Sequence, residues 1–545
     1  MQETYKAEEI FKQFKEHSIS EFFRRNSQML GYSGRIRSLT TVVHEFSTNA
    51  LDASEEAGIL PEISVVLKEL GEDKYSVEVS DNGPGIPQRI VGKALATILA
   101  GTKFHRYLQQ RGQQGIGAAG CTLFSKITTG KFIHVRSSTE KESYECDITI
   151  DIKSNKPVVE NLVKREGLQR GTSIQGEFAN VKYERGEHGV YGYLKRTALS
   201  NPHAGITLRE PDGNEVIFTR SSNELPKRPK EIKPHPLGIG VNDLVELAQR
   251  SDSRKVSSFL VETLSRVTPS KIAELRNITG NDIMEQDPKS LVWADAENLV
   301  KAFRAVKWIA PELDSLSTIG EKQIDVAIRS ILNPKFLSVV ERRPRVFRGG
   351  IPFVVEAGLA YGGMAGKEKK GEGGQRYAEG NVLRFANKVP LLFDGSNCAI
   401  SEAANSIDWK RYGISNFEEE PVSVFVNLSS VYVPYAGVGK QAIAQEEELV
   451  DEIKLALMDC GRILQRYISG VKALASKETK YKTIMRYVGQ LAADLGEITG
   501  KSSKQIEASL RILVESKYKV MEESGEGPAE SEAENVAENG SDAEI

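Results

Sequence analysis

Three stretches decide the fold of this chain: EFSTNALDA at residues 45–53, SDNGPGI at 80–86 and RGQQGIGAAG at 111–120. If the first stretch is a helix, Glu45 and Asn49 lie on one face because they are four residues apart. An amide oxygen suits Mg²⁺, which shares its coordination with nucleotide phosphates and water. The neighbouring carboxylate then remains free to orient or deprotonate a water molecule. The first stretch therefore indicates a base beside a metal ligand.

The third stretch indicates a phosphate loop built from backbone amides. No GxxxxGK[ST] run occurs in the sequence, and GVGKQ at residues 437–441 imitates only part of it. Gly112, Gly115 and Gly117 would let the main chain approach an anion, ideally at the start of a helix. Read singly, the three stretches are also typical of an amphipathic helix, an ordinary turn and a flexible loop. Their order and their shared need for a nucleotide favour one common site.

Together these stretches resemble the GHKL ATPases, the superfamily of gyrase-type topoisomerases, MutL, heat-shock chaperones and histidine kinases. Further motifs are more specific than this ATPase signature: RGTSI at 170–174, KPHPLG at 233–238, PFVVEAGLAYGG at 352–363, RFANKVPLLFD at 384–394, DWKRYGI at 408–414 and VPYAGVGKQAIA at 433–444. They resemble the B subunits of archaeal-type DNA topoisomerase VI, and the resemblance covers roughly residues 18–470.

The resemblance implies a role for each matching residue. Glu45 would be the general base, Asn49 a Mg²⁺ ligand and Asp81 the acceptor for the adenine amino group of ATP. Lys440 would be a switch lysine that reaches the γ-phosphate from the next domain, a task suited to a mobile point charge; its ordinary alternative is a solvated loop lysine. The other positions implied for the nucleotide are Thr102 and Lys103 in a lid, Gly112, Gln113, Gln114, Gly115, Ile116, Gly117, Ala118 and Ala119 in the phosphate loop, and Thr172 beside the adenine.

His44 adjoins the base in sequence. Adjacent helical residues point about 100° apart, so His44 is predicted to pack against the sheet or cap a neighbour rather than share the water with Glu45.

Composition limits the class of protein. At 545 residues the chain is too long for one core, and its 39% hydrophobic and 27% charged content is ordinary for a globular protein. No apolar run approaches the about 20 residues that span a bilayer, and the N-terminus is polar, so we expect a cytoplasmic protein without membrane contact. The four cysteines form no CxxC or Cys/His cluster, which favours buried thiols over a metal or disulfide framework.

Charge is distributed unevenly. The net charge is −3, from 72 basic and 75 acidic residues, but nine of the acids lie in residues 522–545. The remaining chain therefore carries 72 minus 66, or +6. The tail is predicted to be disordered, and the body to be mildly basic.

The expected fold is α+β and multidomain: a GHKL (Bergerat) ATPase α/β sandwich, a helix-two-turns-helix insert, a ribosomal-protein-S5-like transducer and a disordered acidic tail. In the family the N-terminal arm reaches across the dimer partner. The predicted boundaries are an arm at 1–34, the ATP-binding domain at 35–229, the insert at 230–312, the transducer at 313–470, a helical region at 471–521 and the tail at 522–545. A long helix is expected to begin near Ala442, and the region after residue 470 is expected to contact a partner.

The resemblance implies the ATPase subunit of a type IIB topoisomerase with ATP and Mg²⁺ as cofactors. ATP would join two B subunits, and the topoisomerase VI cleavage (A) subunits would complete an A2B2 heterotetramer that passes DNA duplexes. Alternatives are a MutL-like or chaperone-like ATP clamp without strand passage and, last, a histidine kinase. Two basic stretches are either DNA-contacting or simply solvated: Arg342, Arg343, Arg345 and Arg348, and Lys227, Arg228, Lys230 and Lys233.

Overall fold

A computed structural model describes residues 31–98, 107–112, 115–151, 154–366, 381–437 and 439–518. The chain divides into two compact units. The first holds the described residues up to Ile407 together with Pro421–Leu457, and the second holds Asp408–Glu420 with the described residues from Met458 onward.

The first unit begins with an eight-stranded sheet in the order β5-β4-β3-β6-β2-β1-β7-β8. All its neighbouring strands run antiparallel except β1 and β7, which are parallel. Alternation of apolar and polar residues buries one face, as in β1, where Ile63, Val65 and Leu67 are buried. The strands are β1 (Glu62–Gly71), β2 (Lys74–Asp81), β3 (Ile133–Ser138), β4 (Ser143–Asp151), β5 (Lys156–Lys164), β6 (Gly171–Ala179), β7 (Gly205–Arg209) and β8 (Glu215–Phe218).

Helices pack on the buried face of this sheet: α1 (Arg35–Ala57), α2 (Gln88–Ala96), α3 (Gly117–Thr129) and α4 (Val190–Ser200). In α1 the residues Leu39, Val42, Val43, Phe46 and Ala50 are buried, at the spacing of one helical face. The helix ends at Gly58, which adopts the left-handed conformation that favours glycine at this position. The polar residues Glu45 and Asn49 lie on a neighbouring face of α1, outside this buried apolar stripe.

Five helices form a separate hydrophobic core in the insert. They are α5 (Val241–Gln249), α6 (Val256–Thr263), α7 (Pro269–Thr279), α8 (Asn281–Glu285) and α9 (Trp293–Ala305). Thr268 caps α7 by accepting a hydrogen bond from the Lys271 N–H, with Pro269 at the first helical position. The expectation of a helical insert is confirmed, while its predicted boundaries stay predictions.

A six-stranded sheet follows, with strand order β10-β11-β14-β12-β13 and with β9 paired to β11 beside β10. Its two central strands, β11 and β14, are almost wholly buried. β11 is apolar except for Glu356, and the buried polar residues Asn427 and Ser430 of β14 are satisfied by hydrogen bonds. The elements are α10 (Glu321–Leu332), β9 (Phe336–Glu341), β10 (Arg345–Phe347), β11 (Ile351–Tyr361), β12 (Val382–Ala386), β13 (Val389–Pro390), α11 (Ala399–Asn405) and β14 (Val422–Ser430).

The last helices are α12 (Glu447–Thr499) and α13 (Ser503–Tyr518). The long helix was expected near Ala442 but begins at Glu447, because the preceding residues form a short bridge between Tyr435 and Ile443. It runs through the predicted boundary at residue 470 without a break. The predicted arm at 1–34 and the acidic tail lie wholly or mainly outside the described residues.

All four cysteines are free and buried, as predicted. None of the helices in the described ranges combines the length and apolarity needed to cross a bilayer.

Candidate active site

A cavity of about 590 Å³ lies in the first unit. Its volume falls within the about 300–1,000 Å³ typical of small-molecule sites. It is lined by α1, by the turn after β2, by α2, by the start of α3, by β6 and by residues 439–441. The stretches at residues 45–53, 80–86 and 111–120 thus meet at one place.

Glu45 and Asn49 both line this cavity from α1. Glu45 is half-buried, whereas Asn49 is exposed and its side chain makes no hydrogen bond to the described residues. The helical spacing of the two residues places them on one face, as predicted. The arrangement offers a carboxylate and an accessible amide oxygen side by side.

The base and the phosphate loop are in direct contact. A Cβ atom built on Gly117 would overlap Oε2 of Glu45, so a larger residue here would displace the carboxylate from this position. Gly117 is also the first residue of α3, whose terminal N–H groups and positive dipole end favour an anion. The prediction that the glycine loop leads into a helix is therefore confirmed.

Asp81 is the last residue of β2 and lines the same cavity. Its Oδ1 accepts hydrogen bonds from the backbone N–H groups of Gly83, at 2.8 Å, and Thr172, at 3.2 Å. Oδ2 has no hydrogen-bond partner among the described residues. Burial raises the pKa of Asp81 to about 6, although the two N–H groups oppose that shift. Hydrogen bonds to Oδ1 thus fix the orientation of the Asp81 carboxylate, and Oδ2 can accept a hydrogen bond from a ligand.

Lys440 reaches the cavity from the loop that follows β14, together with Gly439 and Gln441. Lys440 adopts a left-handed backbone conformation with φ 51° and lies with Nζ 5.9 Å from the Tyr435 ring centroid. Gln441 anchors the loop because its Oε1 accepts hydrogen bonds from the N–H groups of Leu392, at 3.2 Å, and Phe393, at 3.3 Å. The lysine is therefore presented by the second sheet's domain to a cavity in the first.

His44 also lines the cavity, and its ring lies 5.2 Å from the ring of Tyr193 on α4. Burial lowers the pKa of His44; the carboxylate of Glu45 acts in the opposite direction and Lys440 in the same one. The ring packs as expected, but against a helix rather than the sheet. A neutral imidazole at this position adds no charge to the site at neutral pH.

The structure brings together most of the predicted site residues. Those that line the cavity are Glu45, Asn49, Asp81, Gly112, Gly115, Ile116, Gly117, Ala118, Ala119, Thr172 and Lys440. Thr102, Lys103, Gln113 and Gln114 lie outside the described residues, and their roles stay predictions.

Several lining residues were missed by sequence reasoning. They are Gly85, Ile86, Ile90, Lys93, Leu95 and Ile174. Gly85 could have been found from the DNGPG stretch, since it adopts φ 76° and a Cβ there would overlap the Ser138 carbonyl. The apolar members give the cavity the walls that a flat ring needs, but ordinary apolar residues carry no local signal of that role.

In the ranges that the structure describes, no group of three or more His, Cys, Asp or Glu side chains could hold a metal ion.

Four of the eight residues in the two basic stretches pair with acids: Lys230, Arg342, Arg345 and Arg348. Arg342 lies 2.7 Å from Glu452, and Lys230 lies 3.0 Å from Asp314. Arg348 pairs with Glu446. These pairs favour the solvated-loop interpretation at those positions.

Two families match the chain. The family described as "Histidine kinase-, DNA gyrase B-, and HSP90-like ATPase" matches residues 34–156, and "Topoisomerase VI B subunit, transducer" matches residues 311–480. Residues of both matched ranges line the cavity. Lys440 belongs to the second range, and the predicted cavity residues from Glu45 to Ala119 belong to the first.

Relatives match almost end to end. The protein named as the B subunit of type 2 DNA topoisomerase 6 from Pyrococcus horikoshii is 44% identical, with 97% of this chain and 100% of the relative aligned. Its namesake from Methanothermobacter thermautotrophicus is 45% identical over 87% of this chain and 90% of the relative.

Solved structures match more loosely. The N-terminal domain of a DNA repair protein has a TM-score of 0.38 at 12% identity, covering 78% of this chain and 94% of that one. The ATPase region of Saccharomyces cerevisiae topoisomerase II bound to ICRF-187 has a TM-score of 0.38 at 9% identity, with 83% and 99% covered.

Proposed function

This chain belongs to the family of type 2 DNA topoisomerase 6 B subunits, and from that premise we propose that it binds and hydrolyses ATP to drive passage of one DNA duplex through another. It is the ATPase subunit of a type II topoisomerase. The observation that carries the residue assignment is the convergence of Glu45, Asn49, Asp81 and Lys440 on one cavity.

Asp81 would recognise the adenine. Its Oδ2 would accept a hydrogen bond from the exocyclic amino group, while the two backbone N–H groups hold Oδ1 in place. The fixed orientation reduces the entropy lost on binding. The apolar residues Ile86 and Ile174 would contact the ring faces. Thr172 would support this pocket through its backbone N–H.

The start of α3 would hold the phosphates through backbone amides, and Glu45 would orient and deprotonate the attacking water. Glu45 lies beside Gly117 at that helix end, so base and phosphate loop are already within reach of one another. Gln113, Gln114, Thr102 and Lys103 would complete the loop and the lid.

Asn49 fits a Mg²⁺ ion, because its amide oxygen is exposed to the cavity and unpaired within the described chain. The ion would neutralise charge on the phosphates. The absence of a protein cluster in the described ranges agrees with a cation held mainly by phosphate and water.

Lys440 would contact the γ-phosphate and so report whether ATP is intact. Gln441 anchors this loop to residues 392–393, just after β13, and its carbonyl accepts a hydrogen bond from Arg384 of β12. Pairing of Lys440 with the phosphate would therefore bias the position of the second sheet's domain relative to the ATPase domain. Hydrolysis would remove the contact. ATP binding would also join two copies of the chain, through the arm at 1–34.

The cleavage (A) subunits would supply the nucleophilic tyrosine, in an A2B2 assembly acting on DNA. The helical region after residue 470 is our proposed contact. In α12 the exposed residues Tyr487, Leu491 and Ile498 share one face by their spacing, and α13 exposes Ile512 and Leu513. Such an apolar face suits a permanent partner.

Co-expression with a candidate cleavage subunit tests the proposal. The purified pair should decatenate interlinked DNA circles only with ATP, and neither protein should do so alone. Decatenation or relaxation by this chain alone, or by the pair without ATP, would contradict it. The alternative of an ATP clamp without strand passage is not favoured, because the topoisomerase VI transducer family covers residues 311–480.

A further inference from the structure

Residues 109–111, immediately before the phosphate loop, make polar contacts that the nucleotide site does not require. They connect to a two-residue turn formed by Asn387 and Lys388 between β12 and β13. Both turn residues are buried and both have positive φ, 48° and 68°. A lysine rarely adopts this conformation, so the turn is held in place by its surroundings.

Each of the three residues has its own link to the turn. Gln109 exchanges two hydrogen bonds with the backbone of Ser317, at 2.9 and 2.6 Å, and the Ser317 hydroxyl accepts one from Lys388 Nζ at 2.9 Å. The carbonyl of Gln110 accepts a hydrogen bond from Asn387 Nδ2 at 3.1 Å. Gln109 is thus linked to Lys388 through Ser317, and Gln110 is linked directly to Asn387.

The third link passes through the end of α4. Arg111 donates to Asn201 Oδ1 at 2.6 Å, and Asn201 Nδ2 donates to the carbonyl of Lys388 at 3.1 Å. Arg111 is also held by Asp52 at 2.8 Å and Glu55 at 2.6 Å, two acids of the helix that carries Glu45. The segment is therefore tied to the base's helix on one side and to the second sheet on the other.

We propose that residues 109–111 and the turn of Asn387 and Lys388 form a coupling bracket, through which rearrangement of the phosphate loop around ATP is passed to the second sheet's domain independently of Lys440. The proposal rests on the proposed function, since it assumes a loop that responds to ATP. The bracket residues are positioning residues, because none of them needs to touch the nucleotide.

The physical reason is burial. Arg111, Gln109, Asn387 and Lys388 are all less than a tenth exposed, and a buried polar group that loses its partner is not compensated by water. If residues 109–111 shift, moving the turn of Asn387 and Lys388 with them costs less free energy than breaking these buried hydrogen bonds. Coupling of this kind needs contiguous, well-packed contacts, which the bracket provides.

Asn387→Gly tests the bracket, because glycine adopts positive φ readily and the hydrogen bond to Gln110 is deleted. The substitution also deletes two hydrogen bonds that the Asn387 side chain makes with the backbone of Ser430, each at 2.9 Å, so Ser317→Ala, which leaves those two intact, is measured beside it. Asn333→Gly is the matched control: Asn333 has φ 42° at the end of α10 and is exposed. Both substitutions remove the same side chain from the same backbone conformation, but only one removes a bracket contact.

The readout is the number of DNA passages per ATP hydrolysed, measured with the cleavage subunit present and at a temperature where each variant is fully folded. We expect Asn387→Gly to lower this ratio about tenfold, with kcat and KM of the ATPase changed by less than about twofold. Asn333→Gly should match the wild type. If these contacts only stabilise the fold, Asn387→Gly should lower the melting temperature without changing the number of DNA passages per ATP.

Equal ratios for Asn387→Gly and Asn333→Gly would overturn the bracket. Should Asn387→Gly not fold, Ser317→Ala, which deletes the hydroxyl between Gln109 and Lys388, carries the test: a lowered ratio supports the bracket and an unchanged one overturns it. If the wild-type pair hydrolyses ATP but never decatenates DNA, the proposed function itself fails. If the wild type decatenates normally and the variants equal it, only the bracket fails.

Discussion

Replacing Asp81 by asparagine should stabilise the protein while weakening ATP binding. Burial raises the pKa of this carboxyl from its ordinary 3.8 to about 6. Two pKa units correspond to about 3 kcal/mol, which the folded chain loses at neutral pH by keeping the group ionised. The amide in the Asp81→Asn variant would be neutral and would still accept from the Gly83 and Thr172 N–H groups. Because a neutral acceptor is weaker, we expect a net gain of about 1–3 kcal/mol at pH 7.5.

The pH dependence fixes the sign of this effect. A carboxyl whose folded pKa lies above its unfolded pKa stabilises the protein fully below the unfolded value, and that stabilisation is lost as pH rises through the folded value. The wild type should therefore lose stability between about pH 4 and pH 6 relative to Asp81→Asn. At pH 5 the advantage of the variant should be about half of that at pH 7.5.

Denaturant unfolding without nucleotide measures the stability, and calorimetric titration with a non-hydrolysable ATP analogue measures the affinity. Loss of a hydrogen bond to a charged acceptor costs about 1.5–3 kcal/mol, so affinity should fall about 10- to 100-fold. Asp147→Asn is the control of opposite sign. Burial would raise the pKa of Asp147, but hydrogen bonds from Asn161 and His134 outweigh it and lower the pKa, so that variant should be less stable at pH 7.5. A destabilised Asp81→Asn, or one that binds ATP like the wild type, would refute the reasoning.

Other outcomes follow from the same site. Gly117→Ala should displace the carboxylate of Glu45 and lower kcat about 100-fold, whereas Gly489→Ala on α12, where a Cβ meets no atom within 4 Å, should keep turnover; similar losses in both would refute the contact. The affinity for ATP should fall as pH drops below 6, by at most about tenfold per pH unit, because protonation removes the acceptor on Asp81; titrations at pH 5 and 7 check it, and a flat profile would count against Asp81. Lys440→Met should weaken ATP binding but leave ADP binding unchanged, and equal losses for both nucleotides would exclude γ-phosphate contact.

The parts of the site that depend on local periodicity could be predicted from sequence. Glu45 and Asn49 fall on one helical face because their spacing matches the helix, and Asp81 ends a strand because glycine and proline follow it. The start of α3 at Gly117 follows from the glycine loop. Each of these features is encoded within about ten residues, where the period of the chain limits the possible geometries.

Contacts between distant segments could not be predicted in this way. By its sequence neighbours Arg111 is an ordinary loop arginine, yet it is buried among Asp52, Glu55 and Asn201. The residues around Arg111 in the sequence do not predict which acids it pairs with, because the pairing depends on how residues 109–111, α1 and the end of α4 pack together. The direction of His44 was missed for the same reason, since its neighbour on α4 lies far along the sequence.

The most direct test of the account compares ATP binding and ATP turnover in Glu45→Gln. The substitution keeps the size of the side chain but removes the base, so the variant should bind the ATP analogue as the wild type does. Its single-turnover hydrolysis should be slower by about 100-fold or more. Turnover near that of the wild type, or loss of binding together with turnover, would contradict the assignment of Glu45 as the base in this cavity.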